Sequence, residues 1–193
     1  KLSPLNPTPY PSAAKQREGA GPRHMAIHPN GRFLYVLNEL DSTLCLHTFC
    51  KDSGRLGTVV QRVNTAPEGF GKGYTGKFDD SISTTAAIKF HPQGRFVYVS
   101  NRVVGGEGIL SCFDTDEKSG RLQARSYHGS GGVTPRDFMF LPGGEMMLCL
   151  NQDSDNVVSF RVNASDGSLT PTGHVAHCPS PVCAVGISVA EAS

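Results

Sequence analysis

The chain has 193 residues, enough to bury a sizeable core, and its 18 Lys and Arg against 17 Asp and Glu leave a net charge of +1. That balance supplies no basic field for nucleic acid or for a membrane surface. No apolar stretch approaches the ~20 residues of a membrane span, and no signal peptide stands out.

In chain order, a proline-rich start from Pro4 to Pro11 reads as an extended connection. Four short apolar runs follow at residues 25–27, 33–37, 44–49 and 56–63, rich in β-branched and aromatic residues. Turn chemistry separates them: Pro29-Asn30-Gly31, then Glu39-Leu40-Asp41-Ser42, then Asp52-Ser53-Gly54. Four antiparallel strands are expected. In residues 33–37 apolar side chains occupy successive positions, so both faces of that strand should be buried. An insertion over residues 64–85 comes next, with a glycine-rich centre from Gly69 to Lys77. It lacks the strand-loop-helix context and spacing of a phosphate-binding loop. It reads as a rim loop, or as a lid over an anionic substrate.

The first motif then returns. His28-Pro29-Asn30-Gly31-Arg32-Phe33 reappears as His91-Pro92-Gln93-Gly94-Arg95-Phe96 and, worn down, as Leu141-Pro142-Gly143-Gly144-Glu145-Met146. A second landmark follows each copy: Ser53-Gly54-Arg55-Leu56, Ser119-Gly120-Arg121-Leu122 and Asp166-Gly167-Ser168-Leu169. The spacing brackets the roughly 40 to 50 residue period of propeller blades, with one long insertion in the first copy. A lone four-stranded blade cannot bury two faces, whereas stacked blades bury each other's. The expected fold is all-β, a β-propeller of four-stranded antiparallel blades present as a partial ring. Residues 1–20 are assigned to the end of a preceding blade, 21–83, 84–133 and 134–179 to three repeats, and 180–189 to a ring-closing strand. Lys1-Leu2 matches Arg55-Leu56, so the N-terminal part of a longer protein is expected to be missing. The open blade edges are then expected to self-associate.

Six cysteines, Cys45, Cys50, Cys112, Cys149, Cys178 and Cys183, form no C-x-x-C pair and fall mostly in apolar runs. Buried reduced thiols are expected, and with them a cytoplasmic protein. Asn163-Ala164-Ser165 is then a turn and not a glycosylation site. His174, His177 and Cys178 do not complete a four-ligand set, so no metal is expected, nor any cofactor. His28 and His91 precede Pro and a turn glycine in matching register and read as turn-packing residues.

Aligned on the proline before the turn glycine, Arg23, Ala86 and Arg136 share one position, and Glu39, Arg102 and Gln152 another. Equivalent positions in a ring converge on one end of the central channel. Guanidinium groups gathered there suit a carboxylate or phosphate, because the planar fork pairs bidentately with either. The alternative is a set of solvated or salt-bridged loop residues.

Gly19-Ala20-Gly21-Pro22-Arg23-His24-Met25, Asn38-Glu39-Leu40 and Thr134-Pro135-Arg136-Asp137-Phe138 resemble the seven-bladed propeller lactonase family. That family includes bacterial 6-phosphogluconolactonase and fungal carboxy-muconate cyclase. The resemblance runs over residues 1–189 and implies about half of a seven-bladed ring, its C-terminal half. It implies a lactone hydrolase acting on a small anionic lactone, with Glu39, His24, Arg23 and Arg136 as catalytic residues and Arg23, Arg102 and Arg136 as substrate-binding residues. In bottom-up terms the arginines hold the anion or the developing oxyanion, while Glu39 or His24 moves a proton. A lactonising cyclase, or a non-catalytic propeller fragment acting as a binding module, stands as the alternative.

Overall fold

The structure, a computed structural model, describes residues 16–71 and 82–186. The proline-rich start, the lysine-bearing part of the insertion and residues 187–189 lie outside the described residues. Twelve strands form three four-stranded antiparallel sheets. The first holds β1 (Pro22–Ile27), β2 (Phe33–Asn38), β3 (Thr43–Cys50) and β4 (Arg55–Asn64), in that spatial order. The second holds β5 (Ser83–Phe90), β6 (Phe96–Val103), β7 (Glu107–Thr115) and β8 (Leu122–Val133), and the third β9 (Pro135–Phe140), β10 (Met146–Asn151), β11 (Asn156–Val162) and β12 (Leu169–His177). Three consecutive meanders of this kind are the blades of a partial β-propeller.

The strands fall where the apolar runs are because each run is short, β-prone and closed by a turn residue. The second strands are buried on both sides, as their unbroken apolar runs require: every residue from Phe96 to Asn101 in β6 is buried. One cluster between the first two sheets gathers Tyr35, Leu37, Leu44 and Leu46 against Ile88, Val97, Val99 and Phe113. A second, between the next two, gathers Phe96, Tyr98 and Cys112 against Phe138, Met147 and Phe160. The first strands β1, β5 and β9 lie side by side along one rim of the stack.

Polar latches fix the stacking. Tyr35 donates its hydroxyl to the Gly120 carbonyl at 2.6 Å, and Tyr98, the same position in the next repeat, donates to Gly167 at 2.7 Å. Burial raises the pKa of both phenols, so they stay protonated donors. The accepting residues are the second-landmark glycines of the following sheet, with φ of 71° and 72°. A Cβ on Gly120 would stand 2.6 Å from Phe33 Cγ, and one on Gly167 2.7 Å from Cys112 Sγ. The turn therefore needs glycine for its backbone and for the ring or thiol packed on it.

In the reverse direction Asn101 Nδ2 donates to the Thr65 carbonyl at 3.3 Å, and Asn151 Nδ2 to that of Ser130 at 3.0 Å. His28 and His91 cap their own turns, each Nδ1 accepting the backbone N–H two residues on, from Asn30 and Gln93 at 3.2 Å.

Residues 181–186, part of the stretch assigned to a ring-closing strand, take no strand conformation among the described residues. One expectation needs correction. The thiols are all unpaired, and Cys45, Cys112 and Cys149 are buried, but Cys50 and Cys183 are exposed, at the end of β3 and beyond the last sheet. Burial pushes the Cys112 thiol up to about 11, which leaves it protonated and inert.

Removing either tyrosine hydroxyl strands a buried carbonyl. Tyr35→Phe and Tyr98→Phe should each lower unfolding stability by about 1–2 kcal/mol in urea titrations. Gly167→Ala should cost more than either, because it adds backbone strain to the overlap with Cys112.

Candidate functional site

The charged residues singled out above gather at one end of the first strands, and a backbone irregularity places them. Pairing between β1 and β2 slips from Pro22↔Asn38 to His24↔Leu37, leaving Arg23 as the extra residue. Between β9 and β10 it slips from Pro135↔Asn151 to Asp137↔Leu150, leaving Arg136. β5 slips between Thr85 and Ile88. The bulge recurs in all three sheets at the same column, and a bulged residue is re-aimed away from the normal strand alternation.

Arg23 reaches into the second sheet, donating from Nε to the Ala86 carbonyl at 3.0 Å, and its Nη1 lies 3.7 Å from Glu39 Oε2. Arg102 of the second sheet donates from Nη2 to Glu39 Oε1 and to the Thr85 carbonyl, the latter at 2.8 Å. Glu39 is fixed through its own backbone. Its N–H donates to Gly21 O at 2.7 Å, and its carbonyl accepts Thr85 N at 3.2 Å. One carboxylate thus joins two guanidinium groups across a sheet boundary.

Arg102 is mostly buried, with its side chain 12% exposed, and its Nε has no partner among the described residues. Burial draws its pKa below the ordinary value. Glu39 offsets that, while the positive fields of Arg23 and Arg136 act in the same direction as burial.

Arg136 and Arg102 line one hollow of about 290 Å³, with Thr84, Thr134, Gln152 and Asp153. Arg136 has no carboxylate within ion-pair distance among the described residues. Thr134 holds a left-handed φ of 59°, rare for a β-branched residue, and donates its hydroxyl to Asp153 Oδ2 at 2.5 Å. The wall is therefore locally strained beside the arginine it presents.

His24 follows Arg23 on β1 and keeps an exposed edge. The surrounding protein still removes enough water from the imidazole to lower its pKa. Arg23 and Lys89 push the same way, against Asp137 and Glu39, so the ring is neutral near pH 7. Lys89 Nζ lies 2.8 Å from Asp137 Oδ1, a pair across the second and third sheets that sequence reasoning passed over. The available signal was a lysine inside the otherwise apolar and small run Thr85–Phe90. A larger hollow of about 430 Å³, between the turns at His28 and Gln93, offers only Arg95 and Glu117, of opposite sign.

Three arginines, one glutamate and Asp153 leave this end of the stack with an excess of positive charge. The family model for the seven-bladed β-propeller lactonases matches residues 3–185. The chain belongs to that family. It is 33% identical to a 6-phosphogluconolactonase of Pectobacterium carotovorum over 85% of this chain and 45% of that protein. It is 32% identical to the Bacillus subtilis 6-phosphogluconolactonase, over 86% and 44%. Among solved structures, the periplasmic gluconolactonase of Pseudomonas aeruginosa superposes with a TM-score of 0.74 at 30% identity, covering 86% of this chain and 42% of that one. The chain thus spans less than half the length of the lactonase relatives it matches. Among the described residues no helix is long and apolar enough to cross a membrane, and no cluster of potential metal ligands is found.

Glu39→Gln tests whether the carboxylate joins the two sheets. An amide offers one acceptor and turns a donor toward a guanidinium, so urea unfolding should report a loss of about 1–3 kcal/mol. Unchanged stability would mean that Arg23 and Arg102 do not depend on Glu39.

Proposed function

We propose that the protein carrying this chain is a lactone hydrolase of 6-phosphogluconolactonase type, acting on a small anionic sugar lactone. The observation that supports the reading is that Arg102 meets Arg23 through the carboxylate of Glu39 and, with Arg136, lines one hollow in which Asp153 is the acid.

Opening a lactone requires water to attack the ester carbonyl, which gives a tetrahedral oxyanion. Collapse of that oxyanion breaks the bond to the ring oxygen, which takes up a proton and leaves a hydroxy acid. Fixed guanidinium donors lower the energy of the oxyanion, and of the carboxylate that replaces it, more than that of the neutral ester. Arg23 and Arg136 supply that charge, and Arg102 has an unused Nε. Both Glu39 oxygens already face guanidinium groups, so His24, neutral near pH 7, is the freer acceptor for the proton of the attacking water. Glu39 orients the two arginines and follows as the second candidate.

The reading places the protein in the cytoplasm, and six unpaired cysteines support that compartment. Exposed Met25 (68%) and Ile27 (49%) on β1 and Val175 (60%) on β12 support self-association through the outer sheets.

Lactones open unaided in water, so the informative quantity is the rate of 6-phosphogluconolactone hydrolysis above the spontaneous background. Substituting Arg23→Ala together with Arg136→Ala should reduce kcat/KM by about 10²–10³-fold. Parent and double variant both matching the buffer blank would overturn the reading. For self-association, sedimentation velocity should find dimers or larger species of this chain, and a compact monomer with a cooperative melt would refute it.

A further inference from the structure

In the first sheet a short ladder closes the end of β1 against the turn after β2: Glu39 N donates to Gly21 O at 2.7 Å and Leu40 N to Ala20 O at 3.0 Å. The third sheet repeats it, with Gln152 N donating to Thr134 O at 2.9 Å and Asp153 N to Val133 O at 3.2 Å. Gly21 and Thr134 are therefore equivalent, as are Leu40 and Asp153. Gly21 and Thr134 each precede a proline and hold a left-handed backbone, with φ of 65° and 59°. Glycine meets that conformation without strain, and it leaves room for Leu40, whose Cγ would lie 2.7 Å from a Cβ at Gly21. The third sheet differs at both positions together. Thr134 keeps a backbone that suits glycine and disfavours a β-branched residue, and its hydroxyl donates at 2.5 Å to Asp153 Oδ2, on the residue that stands in place of Leu40. An apolar contact in one sheet is, in the other, a strained hydroxyl holding a carboxylate.

That carboxylate opens on the arginine hollow. Asp153 lines it together with Arg102 and Arg136, yet neither guanidinium comes within ion-pair distance of Asp153 among the described residues. Its Oδ1 accepts no hydrogen bond among them either. Opposite charges that share about 290 Å³ without touching leave space for a group that is an acceptor on one side and a donor on the other. A carboxylate with a hydroxyl on the adjacent carbon is such a group: its oxygens suit the guanidinium fork, and its hydroxyl can donate to a fixed carboxylate. An ammonium in place of the hydroxyl could donate as well, but the surroundings disfavour it. Arg23, Arg102 and Arg136 outnumber Glu39 and Asp153, and the surplus positive charge is neutralised by an anion and not by a zwitterion. Opening a sugar lactone creates the favoured group, because the new carboxylate forms beside the C2 hydroxyl.

We propose that Asp153, fixed by Thr134, is a specificity-determining residue that accepts the hydroxyl on the carbon next to the ligand's carboxylate, while Arg136 takes the carboxylate itself. The hollow then selects α-hydroxy acids over the same acids without that hydroxyl. The lactonase reading supplies the identity of the acid.

The test measures dissociation constants by titration calorimetry for three acids that differ only at C2: gluconate, 2-deoxygluconate and 2-amino-2-deoxygluconate. The native chain should bind gluconate about tenfold more tightly than 2-deoxygluconate, the effect of one charge-assisted hydrogen bond. Asp153→Ala should bring that ratio close to one. A merely structural role for Asp153 would weaken all three acids alike and leave the ratio unchanged. The double variant Thr134→Gly with Asp153→Leu installs the pair that the first sheet already carries, so the turn is kept, and it should lose the ratio as Asp153→Ala does.

A native ratio near one, a ratio that survives in both variants, or tighter binding of 2-amino-2-deoxygluconate than of gluconate would each overturn the assignment. The readout is separate from turnover. An Asp153-dependent ratio without lactone hydrolysis would sink the lactonase reading and leave this site standing, and hydrolysis with an Asp153-independent ratio would do the reverse.

Discussion

The second strand of each sheet is apolar on both faces, and the second face can be buried only by another sheet. That constraint orders the rest of the structure. It dictates strands such as β6, in which every residue from Phe96 to Asn101 is buried, and it brings landmarks far apart in sequence into contact. Non-directional burial alone would allow neighbouring sheets to slide. The tyrosine-to-glycine latches prevent that, because a buried hydroxyl and a buried carbonyl must meet each other or remain unsatisfied. The glycine then follows from two demands at once, a left-handed turn and an aromatic ring or thiol within van der Waals reach of its Cα.

The same stacking produces the arginine cluster. Glu39 and Arg102 occupy equivalent positions in successive repeats and meet because equivalent positions in adjacent sheets are neighbours at the rim. Arg23 likewise reaches the backbone of Ala86, its own equivalent in the second repeat. A repeat with different residues at one position can therefore assemble a heterogeneous cluster from a single column of its alignment. Each ion pair formed in this way also bridges two sheets, so the residues proposed to bind substrate contribute to holding the blades in register.

The site is positive because its cations outnumber its acids and because water is partly excluded. Glu39 compensates part of the charge of Arg23 and Arg102, and Arg136 adds to what remains. Arg102 stays in place through Glu39 and the Thr85 carbonyl although burial works against its charge. Its Nε has no partner among the described residues. The bulges in the first strands give the arginines their direction, and Thr134 marks where the backbone is strained beside them.

Much of this was legible in the residues. Repeated His-Pro-x-Gly and Ser-Gly-Arg-Leu landmarks, with apolar runs between them, determine the meander and the blade, because turn chemistry and burial on both faces are local properties of a strand, while the blocks Gly19–Met25, Asn38–Leu40 and Thr134–Phe138 carried the resemblance to lactonase propellers. The column holding Glu39 and Arg102 was visible for the same reason. Tertiary structure alone decided which partners met. Glu39 collects Arg23 and Arg102 while Arg136 lines the hollow instead, beside Gln152, which stands where the first sheet has Glu39. Lys89 and Asp137 stand in different columns and pair across a sheet boundary. Residues 181–186, which copy a first strand in sequence, take no strand conformation, since a strand exists only where an edge offers hydrogen bonds.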